Sequence, residues 1–289
     1  MSRRLGALIL FPLLSIGLVA VTPDPEQLPA GQVTEKIVCR QDPSQSYALY
    51  LPPAYTPDRK WPLLLCFDPG ARGSVPVKLF QAAAEKFGWI VAGSNNSRNG
   101  PWSDVEPAMA AMWEDTHSRF TVDARRVYTT GFSGGSRVAM ETALRHPDEV
   151  AGVIVCSGGM PRERGLPVPV PFAVFVSAGR KDFNFLEVWR LDNILAREKA
   201  AHRMDVFDGA HEWPPSDIAG AAVGWFEILA MGQGRRDKDP ALAAAVLAES
   251  RDRARDLTVN GRLPEAIRLL EGLVRDFDGL TDLAAVKAD

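Results

Sequence analysis

Ser133 stands in Gly131-Phe132-Ser133-Gly134-Gly135, a G-x-S-x-G pattern. A serine hydroxyl is a weak nucleophile at neutral pH and needs a base to take its proton. The pattern supplies the mechanical part. Small neighbours let a strand turn sharply into a helix, so that the serine Oγ stands clear of the sheet on a strained backbone. The flanks agree: residues 126–130 read as a strand, and a helical stretch follows with Val138, Ala139, Thr142 and Ala143 on one face.

A nucleophile at such a turn is followed along the chain by an acid and then a base. After Ser133 come His146, His202 and His211. His146 closes the helix after the motif, where an imidazole is at home as a structural group. His202 opens the last apolar strand. His211 lies just beyond that strand, in Asp208-Gly209-Ala210-His211-Glu212-Trp213-Pro214. That is the carboxyl edge of the sheet, where ligands bind, so His211 is the expected base. Asp182, on the turn after strand 172–177, is the expected acid, accepting the His211 Nδ1 proton and fixing the tautomer. Asp208 competes for the role, although beside Gly209 it reads as a turn former.

An oxyanion needs two backbone N–H donors. Gly134, next after the nucleophile, should supply one. The other should come from Asp68-Pro69-Gly70-Ala71-Arg72-Gly73. Pro69 has no N–H. Ala71 is the expected donor, with Gly70 and Arg72 left open. Three side chains are expected at the cleft: Arg72 for a substrate carboxylate, and Trp102 and Trp213 for an apolar or aromatic acyl group. Against these stand a solvated arginine and tryptophans packed at a seam.

These groups need a scaffold, and the pattern provides one. Apolar runs at 35–40, 47–51, 63–67, 89–92, 126–130, 152–156, 172–177 and 203–207 read as strands, several apolar throughout, as strands buried on both faces are. Helical stretches at 77–87, 103–119, 134–146, 185–200 and 216–231 lie between them. The alternation predicts an α/β fold with a mainly parallel central sheet and helices on both faces. The first two strands read as an antiparallel hairpin. The expected organisation is a leader over 1–21, a polar linker over 22–33, the α/β domain over 34–231, a Gly- and charge-rich linker over 232–240 and a helical module over 241–289.

The first residues form a basic start at Arg3 and Arg4, an uncharged apolar stretch over 5–21 and a Pro-rich exit. This is the layout of a secretory signal, cut near Ala20, and predicts a periplasmic or secreted protein. An uncleaved membrane anchor is the alternative. The chain has 289 residues, 46% apolar and 24% charged, with a net charge of -3, as a globular protein has. No long Lys/Arg run invites nucleic acid. The histidines are scattered and no Cys-x-x-Cys occurs, so no metal site is expected. Cys39, Cys66 and Cys156 are expected as buried thiols, with a single Cys39 bridge as the minority reading.

On Gly-Phe-Ser-Gly-Gly at 131–135, Gly179-Arg-Lys-Asp182 and Gly209-Ala-His-Glu-Trp213-Pro, residues 34–231 resemble the α/β-hydrolase superfamily. Within it the chain looks like the polyhydroxybutyrate depolymerase and feruloyl esterase branch, and more loosely like dienelactone hydrolase and prolyl oligopeptidase domains. One departure is Asp68-Pro69-Gly70, where such enzymes carry His-Gly. The resemblance implies cofactor-free hydrolysis of a small-molecule or polymeric ester. A serine peptidase acting on short peptides is the enzymatic alternative. Asn260-Gly261-Arg262-Leu263-Pro264-Glu265-Ala266-Ile267 resembles a tetratricopeptide helix pair, weighed against a plain hairpin packed on the α/β domain. It leaves open a protein partner at the C-terminal helices, and a non-catalytic interaction protein as the third reading.

Overall fold

The computed structural model describes residues 28–161 and 165–288. The expected leader, its cut at Ala20 and most of the polar linker lie outside the described residues. Eight strands form one sheet in the order β1-β2-β4-β3-β5-β6-β7-β8. They are β1 Val33–Val38, β2 Ser46–Tyr50, β3 Trp61–Phe67, β4 Ile90–Ser94, β5 Val122–Phe132, β6 Val150–Cys156, β7 Ala173–Gly179 and β8 His202–Phe207. From β4 to β8 every pairing is parallel, while β2 is antiparallel to both β1 and β4, so the expected leading hairpin is present.

The helices of the α/β part are α1 Ser74–Phe87, α2 Trp102–Arg119, α3 Gly134–Arg145, α4 Phe185–Arg197 and α5 Ser216–Gly232. Strand β3 shows how they are layered. Its Leu63, Leu65 and Phe67 belong to one apolar cluster with Met109 of α2, Val138 of α3 and Leu191 of α4. Its Leu64 and Cys66 belong to another with Phe80 of α1 and Val223 of α5. Alternate side chains of a strand point to opposite faces, so a strand apolar at every position must be covered on both. Each such side chain, fully buried, contributes about 1.5–3 kcal/mol.

All three cysteines are buried free thiols, as expected. Burial pushes Cys39 and Cys156 up to about 12, so neither is a reactive thiolate at neutral pH. Two buried carboxylates are fully partnered. Asp115 of α2 accepts from the Tyr47 hydroxyl at 2.7 Å, from Arg119 Nε at 2.9 Å and from the Arg40 amide at 2.8 Å. Glu227 of α5 accepts from Trp89 Nε1 at 2.6 Å and pairs with Arg126 and Arg236.

Beyond α5, helices α6 Pro240–Val259 and α7 Leu263–Asp276 pack on each other, and the short α8 Ala284–Ala288 follows. Their apolar faces share a cluster with Ile228 and Met231 of α5. Polar contacts fasten the pair to β8 and α5: Arg262 Nη2 donates to the Val206 carbonyl of β8 at 2.6 Å, and Trp225 Nε1 of α5 to Asp276 Oδ2 at 2.7 Å. The described residues thus contain a hairpin docked on the α/β part. Among them, no helix is long and apolar enough to cross a membrane.

Candidate active site

The site forms where three parallel strands end side by side. Strand β5 runs between β3 and β6, and its last residues, Gly131 and Phe132, pair with Phe67 and Cys156. Ser133 follows at φ 54°, a left-handed backbone that a residue with a Cβ adopts only under constraint. Its amide is held by the Cys156 carbonyl at 2.8 Å, and its own carbonyl accepts from Ser136 Oγ at 2.6 Å. The chain then doubles back into α3 so closely that a Cβ on Gly131 would lie 2.0 Å from the Gly135 carbonyl oxygen. A Cβ on Gly135 would lie 2.0 Å from that of Phe67. The glycines are there for close approach.

Strand β7 delivers Asp182 and β8 delivers His211, each a few residues past its end. Ser133 Oγ lies 2.9 Å from His211 Nε2, and His211 Nδ1 lies 2.9 Å from Asp182 Oδ1. With the carboxylate accepting, Nδ1 carries the proton and Nε2 is left as the acceptor for the serine hydroxyl. The Asp182 carboxylate is wholly buried, and the Asn184 amide donates to its Oδ1 at 2.7 Å. The other three histidines are elsewhere. His146 and His117 sandwich Trp113, with ring centroids 3.8 and 4.2 Å from it. His202 donates from Nδ1 to the Ala200 carbonyl, 2.9 Å away. Asp208 pairs with Arg180 and is mostly exposed.

The imidazole is clamped between aromatic rings. Phe132 lies 4.7 Å and Phe183 4.0 Å from its centroid. Phe183 is 77% exposed and so covers His211 from the solvent side. Nothing in the sequence pattern marked it.

One expected donor is corrected. The Ala71 N–H donates to the Asp68 carbonyl at 3.1 Å, and the Gly70 N–H to Asp68 Oδ1 at 2.8 Å. Both are spent inside their own turn, which Ala71 closes at φ 58°. Of the loop amides considered, that of Arg72 is left without an acceptor among the described residues. Gly134 opens α3, where the first N–H groups have no carbonyl partner within the helix.

The three cleft candidates divide. The Arg72 guanidinium is taken by Asp68, with Nε at 2.9 Å and Nη2 at 3.1 Å, rather than held open. Trp213 does not face a ligand with its polar edge: Nε1 donates to Asp68 Oδ2 at 2.9 Å, and the ring packs on Phe132. Trp102, at the start of α2, does line a cleft of about 370 Å³ with Ser133 and Gly134. Asp68 was outside the sequence reading except as a loop residue, yet it organises this edge. Burial works against its charged form, but hydrogen bonds from Arg72, Trp213 and the Gly70 amide outweigh that and hold its carboxyl below the usual range. The Asn99 amide donates to the Pro69 carbonyl at 2.8 Å, which ties a third loop to the same edge. No cluster of metal-ligating side chains occurs among the described residues.

No family model and no curated protein sequence matches the chain. Solved structures do. An S-formylglutathione hydrolase from Staphylococcus aureus is 12% identical with a TM-score of 0.54, over 69% of this chain and 98% of that one. An esterase from the archaeon Pyrobaculum calidifontis is 12% identical with a TM-score of 0.54, over 70% and 87%. A carboxylesterase from Bacillus cereus is 16% identical with a TM-score of 0.51, over 65% and 96%. At these identities the likeness is one of fold. The chain has the α/β-hydrolase fold, with additional C-terminal helices.

Proposed function

We propose that the chain is a serine hydrolase that cleaves a carboxylic ester through an acyl-enzyme. One observation carries the reading: Ser133 Oγ, both nitrogens of His211 and Asp182 Oδ1 stand in a continuous relay, each link 2.9 Å long. Ser133 attacks the ester carbonyl while His211 Nε2 takes its proton, and Asp182 stabilises the imidazolium. The Gly134 N–H, at the positive end of α3, receives the developing oxyanion. His211 then gives the proton to the departing alkoxide. Water, deprotonated by the same nitrogen, returns the acyl group as a carboxylic acid and restores the serine. The three similar structures, called hydrolase or esterase, are consistent with this chemistry.

The test is hydrolysis of 4-nitrophenyl butyrate. The chain should turn it over, and Ser133→Ala should lose at least about 10³-fold in kcat while keeping its thermal melt. Undiminished turnover in the variant would overturn the reading. For location, the basic and apolar N-terminal pattern supports export to the periplasm or beyond, and fractionation of expressing cells tests it.

A further inference from the structure

The cleft beside Ser133 carries more than the reacting groups. Its wall includes Arg98, Asn99, Trp102 and Arg137, and no carboxylate lines it. The two arginines differ. Arg137 is held by Glu187, with Nη2 at 2.6 and 2.7 Å from the two carboxylate oxygens, and that pair is close to neutral. Arg98 has no ion pair among the described residues, and its side chain is exposed. Its backbone is nonetheless fixed by a β-bridge to Gly70, on the loop that Asp68 organises. A guanidinium on a fixed backbone at the mouth of a small cleft, beside a helix N-terminus, makes a net positive site next to the nucleophile. Exposed surface arginines are ordinary. One whose backbone is set by the loops of the reacting edge, at a cleft lined by no carboxylate, is placed to receive an anion.

We propose that the substrate is a small ester that itself carries a carboxylate, such as a monoester of a dicarboxylic acid, and that Arg98 selects it. This rests on the hydrolase reading above. The guanidinium offers two parallel N–H donors to the free carboxylate, while Trp102, 37% exposed, covers the carbon chain between that carboxylate and the ester. A cleft of about 370 Å³ lies at the small end of ligand sites, which favours a short acid over a long acyl chain.

The matched pair of mono(4-nitrophenyl) adipate and 4-nitrophenyl hexanoate differs by the terminal carboxylate. The quantity read is the ratio of their kcat/KM values within one protein, so a partly inactive preparation does not distort it. The native chain should prefer the adipate by about tenfold, mostly through KM, and the preference should shrink in high salt. Arg98→Gln should bring the ratio to one or below, and Arg98→Lys, which keeps the charge, should retain most of it. A native ratio of one or less, or the native ratio persisting in Arg98→Gln, overturns the proposal. If the hexanoate is turned over and a fluorophosphonate labels Ser133, only the selectivity has failed. If neither ester is turned over and Ser133 is not labelled, the hydrolase reading has failed and this proposal with it.

Discussion

The indole N–H of Trp213 donates to Oδ2 of Asp68 at 2.9 Å, joining the loop that carries His211 to the turn after β3. The bond holds the base-bearing loop from behind while Phe132 packs against the same indole. Trp213→Phe keeps the ring and removes the donor. A lost hydrogen bond to a buried carboxylate is worth about 1.5–3 kcal/mol. The expected outcome is a melting temperature lower by several degrees and an ester kcat reduced several-fold, read by calorimetry and steady-state kinetics. An unchanged kcat would mean that the loop is positioned without this bond.

Asp68 also sets a pH dependence. Its carboxyl is held below the ordinary range in the folded chain. The stabilisation is therefore complete above the unfolded value of about 3.9 and is lost as pH falls through the lower folded value. Between about pH 5 and pH 2 the native chain should lose more stability than Asp68→Asn, whose amide does not titrate there. Urea denaturation at a series of pH values reads this directly, and parallel curves would contradict it.

Asp182→Asn tests the tautomer. An amide in place of the carboxylate presents a donor to Nδ1 and turns the ring's proton toward Ser133. Such a swap costs about 10⁴-fold in kcat in a serine-protease triad, and a loss of that order is expected here without loss of fold. Circular dichroism beside the kinetics separates the two effects.

The elbow glycines make a contrasting pair. A Cβ on Gly135 meets the Phe67 backbone, which cannot move without disturbing β3, whereas one on Gly134 meets Asn99 Oδ1, the tip of an exposed side chain. Gly135→Ala should therefore yield little folded protein. Gly134→Ala should fold, with Asn99 displaced and activity lowered. Soluble yield and melting temperature of the two variants check the order.

Much of this was legible in advance, and the reason is periodicity. Runs such as Leu63-Leu64-Leu65-Cys66-Phe67 can be satisfied only by helices on both faces. All eight strands and the helices between them were accordingly placed in the sequence. Boundaries slipped where charge interrupts a strand. β5 begins at Val122 rather than at 126, because Asp123 and the exposed Arg125 break the apolar pattern of a segment that still pairs Val122 with Trp61. Ser133, Asp182 and His211 were legible because each follows a strand end. The roles of Ala71, Arg72 and Trp213 were not, because they depend on which way a short turn points its donors. All three are engaged by Asp68, a partner that no spacing rule connects to Trp213. Phe183 was missed for the same reason.

Glu227 tests the core independently of the chemistry. It is fully buried and neutralised by Arg126 and Arg236, with Trp89 as a third partner. Removing one member of such a network leaves buried charge uncompensated, at about 3–5 kcal/mol. Glu227→Gln should lower the urea midpoint accordingly and leave the KM for a simple ester unchanged. A variant as stable as the native chain would show that these arginines reach solvent instead.

The relay through Ser133 is tested most directly by intact-mass measurement of the folded chain after exposure to a fluorophosphonate. A single adduct, mapped to Ser133 by peptide sequencing and absent from Ser133→Ala and strongly slowed in His211→Ala, is the predicted result. A folded chain that takes up no adduct, or one that takes it up equally without the hydroxyl at 133, would contradict the assignment of this serine as the nucleophile.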